Sequence, residues 1–284
     1  MKKYIRLIRL KHWIKNFLIM LPAVFSGRLT EGRILLCAFT GMLCFGTASS
    51  AIYVFNDLCD AENDRRHPEK CKRPIASGEV KEKAAGVLIV GLSAVTFGMM
   101  AVQFLILDMP VIGCVLFPLL YIALNTAYSK GLKNVPLADL AILVSGFVIR
   151  TIYGGVICGI EVSSWLSLTV MSGAFFCAFG KRRNELRRNP SRKVLKYYTA
   201  EFLDKNLYVS MTMTIIFYSL WAINVAKKYF IWTVPAVFLI CLRYCMDIER
   251  SESGGDPVEV LLGDKALLIM LTAYACAAGA LLYF

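Results

Sequence analysis

The sequence predicts an all-α membrane protein, a polytopic helical bundle of about nine transmembrane helices with its N-terminus in the cytoplasm. Three observations lead there. Of 284 residues, 57% are hydrophobic, where soluble chains carry about 45–50%. The apolar residues gather in runs of the roughly 17–25 residues that a bilayer core requires. The charged residues, with a formal net charge of +12, collect between alternate runs. Mean hydropathy is +0.59.

The runs fall at about 14–27, 34–55, 84–107, 110–127, 137–160, 163–180, 206–226, 230–246 and 265–284. In hydrocarbon only a helix satisfies its own backbone without water, so each run is expected to be helical. The first is short and broken by Pro22. Nine spans put the N-terminus and every even-numbered connection on one face. That face carries 26 of the 32 Lys and Arg residues, in 1–15, 56–83, 128–136, 181–205 and 247–265. The other face has Arg28, Arg33, Lys227 and Lys228, and Arg150 and Arg243 lie within spans. This positive-inside bias sets the N-terminus in, the C-terminus out and the long loops on the cytoplasmic side of the inner membrane. One span more or fewer would split the basic loops between faces. "MKKYIRLIRLKHWIK" has no convincing small-residue cleavage site, and it is expected to lie as an interfacial helix on the inner leaflet. Residues 1–284 are read as one membrane-embedded domain. Of ten cysteines, Cys37, Cys44, Cys114, Cys158, Cys177, Cys241, Cys245 and Cys276 sit in apolar runs, where thiols behave as small buried hydrophobes. Cys59 and Cys71 flank His67 without zinc spacing.

After the second run comes "NDLCDAENDRRHPEKCKRPIASG". Asn56, Asp60 and Asp64 stand at i, i+4 and i+8, so a continued helix stacks them on one face, with Asp57 one step round. Carboxylates this close repel one another unless a cation sits between them. An oxygen-only donor set suits Mg²⁺, which shares its remaining positions with water and substrate phosphates. His67 is not required. Lys70, Lys72 and Arg73 follow at once, and Pro74 and Gly78 fix turns. Metal-binding carboxylates beside cations for phosphate oxygens make a diphosphate site. A solvated acid-rich face is the plain alternative.

A weaker version follows the fourth run, where "NTAYSKGLKNVPLADL" supplies Asn125, Tyr128, Ser129, Lys130, Lys133 and Asp139. Asp139, Gly146 and Arg150 share a face of span five, too far apart along it for Asp139 to touch Arg150. An arginine inside a span is costly, about 2.5–3.5 kcal/mol on insertion scales, so Arg150 is expected to face a polar cavity or an anion. Ser145-Gly146 and Gly154-Gly155 are expected to loosen or bend that helix. The densest basic run, "GKRRNELRRNPSRK", reads mostly as an anchor against anionic lipid. Lys181 and Arg182 abut span six and can turn into the cavity, with Glu185 placed to orient Lys181. Asp256, Glu259 and Asp264 belong to the last inner loop and to the cap of span nine.

The acidic segment resembles the first aspartate-rich motif of the UbiA superfamily of intramembrane prenyltransferases, Asn-Asp-x-x-Asp-x-x-x-Asp followed by Arg-Pro-Ile-Ala-Ser-Gly. Members using aromatic acceptors carry a second Asp-x-x-x-Asp motif, where this chain has Asp139 alone. "LKHWIKN", "YSKGLK", "LVSGFVIRTIYGG", "FGKRRNEL" and "GDPVEVLLGDK" resemble the branch containing decaprenyl-phosphate phosphoribosyltransferase. The resemblance implies Mg²⁺-dependent transfer of 5-phosphoribose from phosphoribosyl diphosphate to a polyprenyl phosphate, with release of pyrophosphate. It makes Asn56, Asp60 and Asp64 the metal–diphosphate residues and Asp139 the counterpart of the second motif's carboxylate, so Asp60, Asp64 and Asp139 are the catalytic candidates. By the same resemblance Lys15, Tyr128, Lys133, Lys181 and Arg182 become candidate phosphate contacts, and Asn16, Asp57, Lys70, Arg73 and Arg150 complete the candidate substrate contacts. The cation excess suits two phosphorylated substrates, and a lipid phosphate is anionic enough to attack without a general base. The other reading is a quinone-type prenyltransferase that uses a polyprenyl diphosphate, and a third is a cation-binding transporter or scaffold. The implied partners are polyprenyl phosphate, phosphoribosyl diphosphate and membrane lipids, with no nucleic acid, and a homo-oligomer is allowed.

Overall fold

The computed structural model describes residues 2–188, 192–225, 229–250 and 256–284, all of whose regular structure is helical. Parts of two stretches singled out above lie outside the described residues: 189–191 of the basic run and 252–255 of the last inner loop, as do Lys227 and Lys228. The chain opens with α1 (Lys2–Ile8), a 3₁₀ segment (Leu10–Met20) and α2 (Leu21–Phe25). Then come α3 (Gly32–Arg65), α4 (Glu82–Leu105), α5 (Phe117–Lys130, entered through a π turn), α6 (Ala138–Cys158) and α7 (Ser164–Arg188). The remaining helices are α8 (Ala200–Asn224), α9 (Val234–Arg250), the short α10 (Pro257–Gly263) and α11 (Lys265–Tyr283).

Seven helices among the described residues are long and apolar enough to cross a membrane, and they coincide with seven of the expected runs. The run at 163–180 lies in α7, whose 25 residues end in the basic sequence KRRNELRR. The run at 14–27 departs from a regular α-helix. Arg9 turns left-handed at φ 52°, and the 11 residues that follow wind as a 3₁₀ helix. At about 2.0 Å per residue this tighter coil rises roughly 22 Å, against roughly 17 Å for α geometry. Packing imposes it. Trp13 presses on Gly46, where an added Cβ would lie 2.9 Å from the ring. The Ile19 carbonyl approaches Gly154 so closely that a Cβ there would lie 2.0 Å from the oxygen. Gly154 therefore permits a close approach, and α6 is one continuous helix from Ala138 to Cys158.

The chain divides into two compact units. The first holds Met1–Ala23, Arg28–Lys133 and Ile149–Ile160. Within it α3 packs against α1, the 3₁₀ segment, α4 and α5, around a core that includes Ile19, Phe45, Tyr121, Tyr153 and Ile157. The second holds Val24–Gly27, Asn134–Val148 and Glu161–Phe284. There α7 packs on α8, and α9 packs on α7, α8 and α11, around Leu140, Phe176, Leu195, Leu207 and Ile248.

Most of the spanning helices, α9 apart, distribute their apolar residues around the whole circumference, so in them hydrophobicity alone marks no inner face. The structure decides which are central: 67% of the apolar window of α3 is buried, against 17% in α4. This also corrects the reading of the thiols. Cys276 in α11 is exposed and Cys177 half-buried, while the other six in apolar runs are buried.

Candidate functional site: two charged clusters at helix ends

α3 continues ten residues past its apolar run, unbroken to Arg65, and so carries the acidic residues on a rigid element. The loop behind it folds back through the turn expected of Pro74 and Gly78. Val80 N–H donates to Pro74 O at 2.8 Å, and Gly78 takes φ 80°. Ile75 and Val80 join Leu7 of α1, Val54 and Ala61 of α3 in a small apolar cluster beneath the loop. Arg6 donates to Lys72 O at 2.8 Å, which ties the N-terminal helix to the same loop.

Asp57, Asp60 and Asp64 each meet a cation of the protein itself. Lys133 donates to Asp60. Arg73 Nη1 bridges Asp64 Oδ2 at 2.8 Å and Asp57 Oδ1 at 3.0 Å. Arg9 Nη2 reaches the same Asp57 oxygen at 2.5 Å. The Ser129 hydroxyl lies 3.0 Å from Asn56 Oδ1 and fixes that amide. Asp57 and Asp64 are buried, and Asp60 is partly open. Thus Asn56, Asp57, Asp60, Asp64, Arg73 and Lys133 gather as expected. Lys15 and Tyr128 lie half-buried in the same unit. Lys70 stands in the 3₁₀ turn that His67 holds by accepting the Glu69 and Lys70 N–H groups at Nδ1, 3.2 and 3.3 Å away. Burial and the Lys70 charge push the His67 pKa down.

Deeper in the unit, Arg150 is 4% exposed. Its Nε donates to Asn16 Oδ1 at 2.9 Å and its Nη2 to the Tyr121 hydroxyl at 3.3 Å. The guanidinium also lies over the Tyr121 and Phe45 rings, 4.6 and 5.3 Å from their centroids. Asn16 Nδ2 is a buried donor with no partner.

The second unit has its own cluster. Asp139 and Arg182 are both fully buried. Arg182 Nε donates to Asp139 Oδ2 at 2.7 Å, and its Nη1 to Glu185 at 2.6 Å. Tyr198 donates to Asp139 Oδ1 at 2.6 Å and accepts the Leu137 N–H at 2.8 Å, where the backbone turns left-handed at φ 63°. Burial and the bond to Asp139 push the Tyr198 phenol up to about 12. Burial alone would raise Glu185, but Arg182, Arg192 and Lys181 hold it down at about 2.

Glu185 therefore orients Arg182 by a direct bond, where Lys181 was expected as its partner. Lys181 bonds Asp256 instead, at 3.0 Å. Asp256 is also more than a loop residue, since it caps α10 through Val258 N–H. Asp264 caps α11 as expected. Sequence reasoning missed Arg9, Tyr198 and Tyr121. Arg9 carried a faint signal as a charge immediately before the LKHWIKN segment. Tyr198, 59 residues from Asp139, carried none.

The fold and these clusters define a multi-pass membrane protein whose helix ends carry carboxylates clasped by lysine and arginine. The chain belongs to the UbiA prenyltransferase family, whose model matches residues 17–258. It is 34% identical to a decaprenyl-phosphate phosphoribosyltransferase of Corynebacterium glutamicum, over 95% of this chain and 83% of the relative. It is 35% identical to the protein of that name from Mycolicibacterium smegmatis, over 99% and 92%. Its fold is similar to that of a UbiA homolog from Archaeoglobus fulgidus bound to DMAPP and Mg²⁺, with a TM-score of 0.75, 19% identity and 99% of both chains covered.

Proposed function

We propose that the protein transfers 5-phosphoribose from phosphoribosyl diphosphate to a polyprenyl phosphate, releasing pyrophosphate, at the cytoplasmic face of the inner membrane. The observation that carries the choice of donor is the pair of phosphoribosyltransferases about one-third identical over almost the whole chain. The charge clusters supply the chemical support.

The donor types, two carboxylates and an amide oxygen with no nitrogen or sulfur, are those Mg²⁺ prefers, and among the described residues no three acidic, histidine or cysteine side chains are already gathered to hold it. Asn56, Asp60 and Asp64 would hold the ion, which when bound neutralises charge on the leaving pyrophosphate. Lys133 and Arg73, released from Asp60 and Asp64, are then free to bind diphosphate oxygens. Asn16 offers its buried Nδ2 as a further donor, with Arg150 fixing its orientation. Lys15, Lys70 and Tyr128 are further phosphate contacts of this unit. In the second unit Lys181 and Arg182 serve phosphate recognition, each pre-set by carboxylates, and Asp139 acts by positioning Arg182.

The attacking lipid phosphate oxygen is already an anion, so no side chain need remove a proton. The residues' work is placement of the anomeric carbon against that oxygen. Displacement through an oxocarbenium-like state is expected to invert the anomeric centre.

The test is incubation of purified enzyme with labelled phosphoribosyl diphosphate, a polyprenyl phosphate and Mg²⁺. A labelled lipid is expected. No labelled lipid, or turnover of a polyprenyl diphosphate with an aromatic acid instead, would overturn the assignment.

A further inference from the structure

Asp57 is a carboxylate whose side chain is 3% exposed, and two guanidiniums share its Oδ1. The two are not equivalent. Arg73 divides itself between Asp57 and Asp64, so it links the buried acid to a proposed metal ligand. Arg9 makes one short contact, to Asp57 alone among these acids, and it is built to stay. Its backbone takes φ 52°, ψ 51°, a conformation that residues other than Gly, Asn and Asp seldom adopt. That turn aims its side chain along α3. Its guanidinium lies 5.1 Å from the centroid of Tyr53, one helical turn before Asp57. Tyr53 is backed in turn by His12, with ring centroids 5.6 Å apart.

We infer that Arg9 is a positioning residue: by neutralising Asp57 permanently, it lets Arg73 leave the acidic helix for the diphosphate of the substrate. This rests on the proposed reading of the Asp60–Asp64 site. The physical reason is that a buried carboxylate stripped of its cation is strongly unfavourable. Without Arg9, Arg73 is the group that must remain on Asp57, and it is lost to the substrate. Asp57 becomes an anchor for cations, where the sequence pointed to a substrate contact.

The test measures binding of Mg²⁺ with pyrophosphate by calorimetry, alongside the melting temperature, in detergent-purified full-length protein. Arg9→Gln is expected to weaken binding at least about tenfold, since the charge left behind is buried. Arg9→Gln/Asp57→Asn is expected to recover to within about threefold of wild type, because the neutral amide at position 57 no longer holds Arg73. Asp57→Asn alone, which keeps Arg9, is expected to bind as tightly as wild type or tighter. A purely structural Arg9 would lower the melting temperature and leave the affinity of the folded fraction unchanged. Wild-type affinity in Arg9→Gln, no recovery in the double variant, or weakened binding in Asp57→Asn would each overturn the inference alone. Failure of the wild type to bind, or equal binding by Asp60→Ala, would overturn the site reading and the inference together.

Discussion

Asp139→Asn tests the buried charge cluster of the second unit. The substitution keeps the shape of the side chain and removes its charge. Asp139 and Arg182 are both 0% exposed, so water cannot replace what is lost. The amide still accepts from Tyr198 through one oxygen, but it presents an NH₂ donor to the Arg182 Nε that now sits 2.7 Å from a carboxylate oxygen. Removing one member of a buried ion pair costs about 3–5 kcal/mol. Glu185, 2.6 Å from Arg182 Nη1, stays and keeps the loss near the lower end, about 3 kcal/mol. For a chain of this size each kcal/mol moves the melting point by roughly 2–4 °C, so a drop of about 6–12 °C is expected. The assay is thermal unfolding in detergent, followed by tryptophan fluorescence. Tyr198→Phe removes the bond to the same carboxylate and also the acceptor of the Leu137 N–H, and should cost about 1.5–3 kcal/mol. A melting point for Asp139→Asn within about 2 °C of wild type would show that the cluster does not hold this unit together.

Three further outcomes follow from the geometry. Lys133→Ala removes the cation on Asp60 and is expected to raise the KM for the diphosphate substrate about ten- to a hundredfold, the worth of a charge-assisted contact, and an unchanged KM would remove Lys133 from the site. Gly154→Ala drives a methyl into the Ile19 backbone and should lose about 3 kcal/mol or prevent folding; a wild-type yield of folded, monodisperse protein would refute that close packing. The His67 pKa is lowered in the folded state by burial and by Lys70, so the unfolded chain takes up the proton first as pH falls. The 66–73 turn is therefore expected to lose stability as pH drops through the ordinary histidine value of about 6.5, seen as faster amide exchange at pH 5.5 than at 7.5 after correction for intrinsic rates. His67→Gln should abolish the difference, and a turn indifferent to pH in the wild type would refute the role.

The first cluster was legible in the sequence because its logic is local. Helical spacing put Asn56, Asp60 and Asp64 on one face, Arg73 was read as a phosphate cation from its neighbourhood, and Lys133 was reached through the family resemblance. What stayed hidden was the pairing. Like charges were expected to need a cation between them; Arg73 bridges Asp57 and Asp64, while Arg9 and Lys133 pair singly with Asp57 and Asp60. Glu185 was paired with Lys181 by i+4 geometry, whereas the buried guanidinium of Arg182 at i+3 is the stronger claimant.

By itself the sequence determined that the chain is helical and membrane-embedded, with acid-rich and basic segments at the helix ends, because hydrocarbon leaves the backbone no alternative and charge avoids it. Tertiary structure alone decided which helices are central, why Leu10–Met20 coils tightly against Gly154, and which cation sits on which carboxylate. An apolar helix looks the same from every side, and a long charged side chain reaches many partners, so only the packed neighbours select the face and the pair.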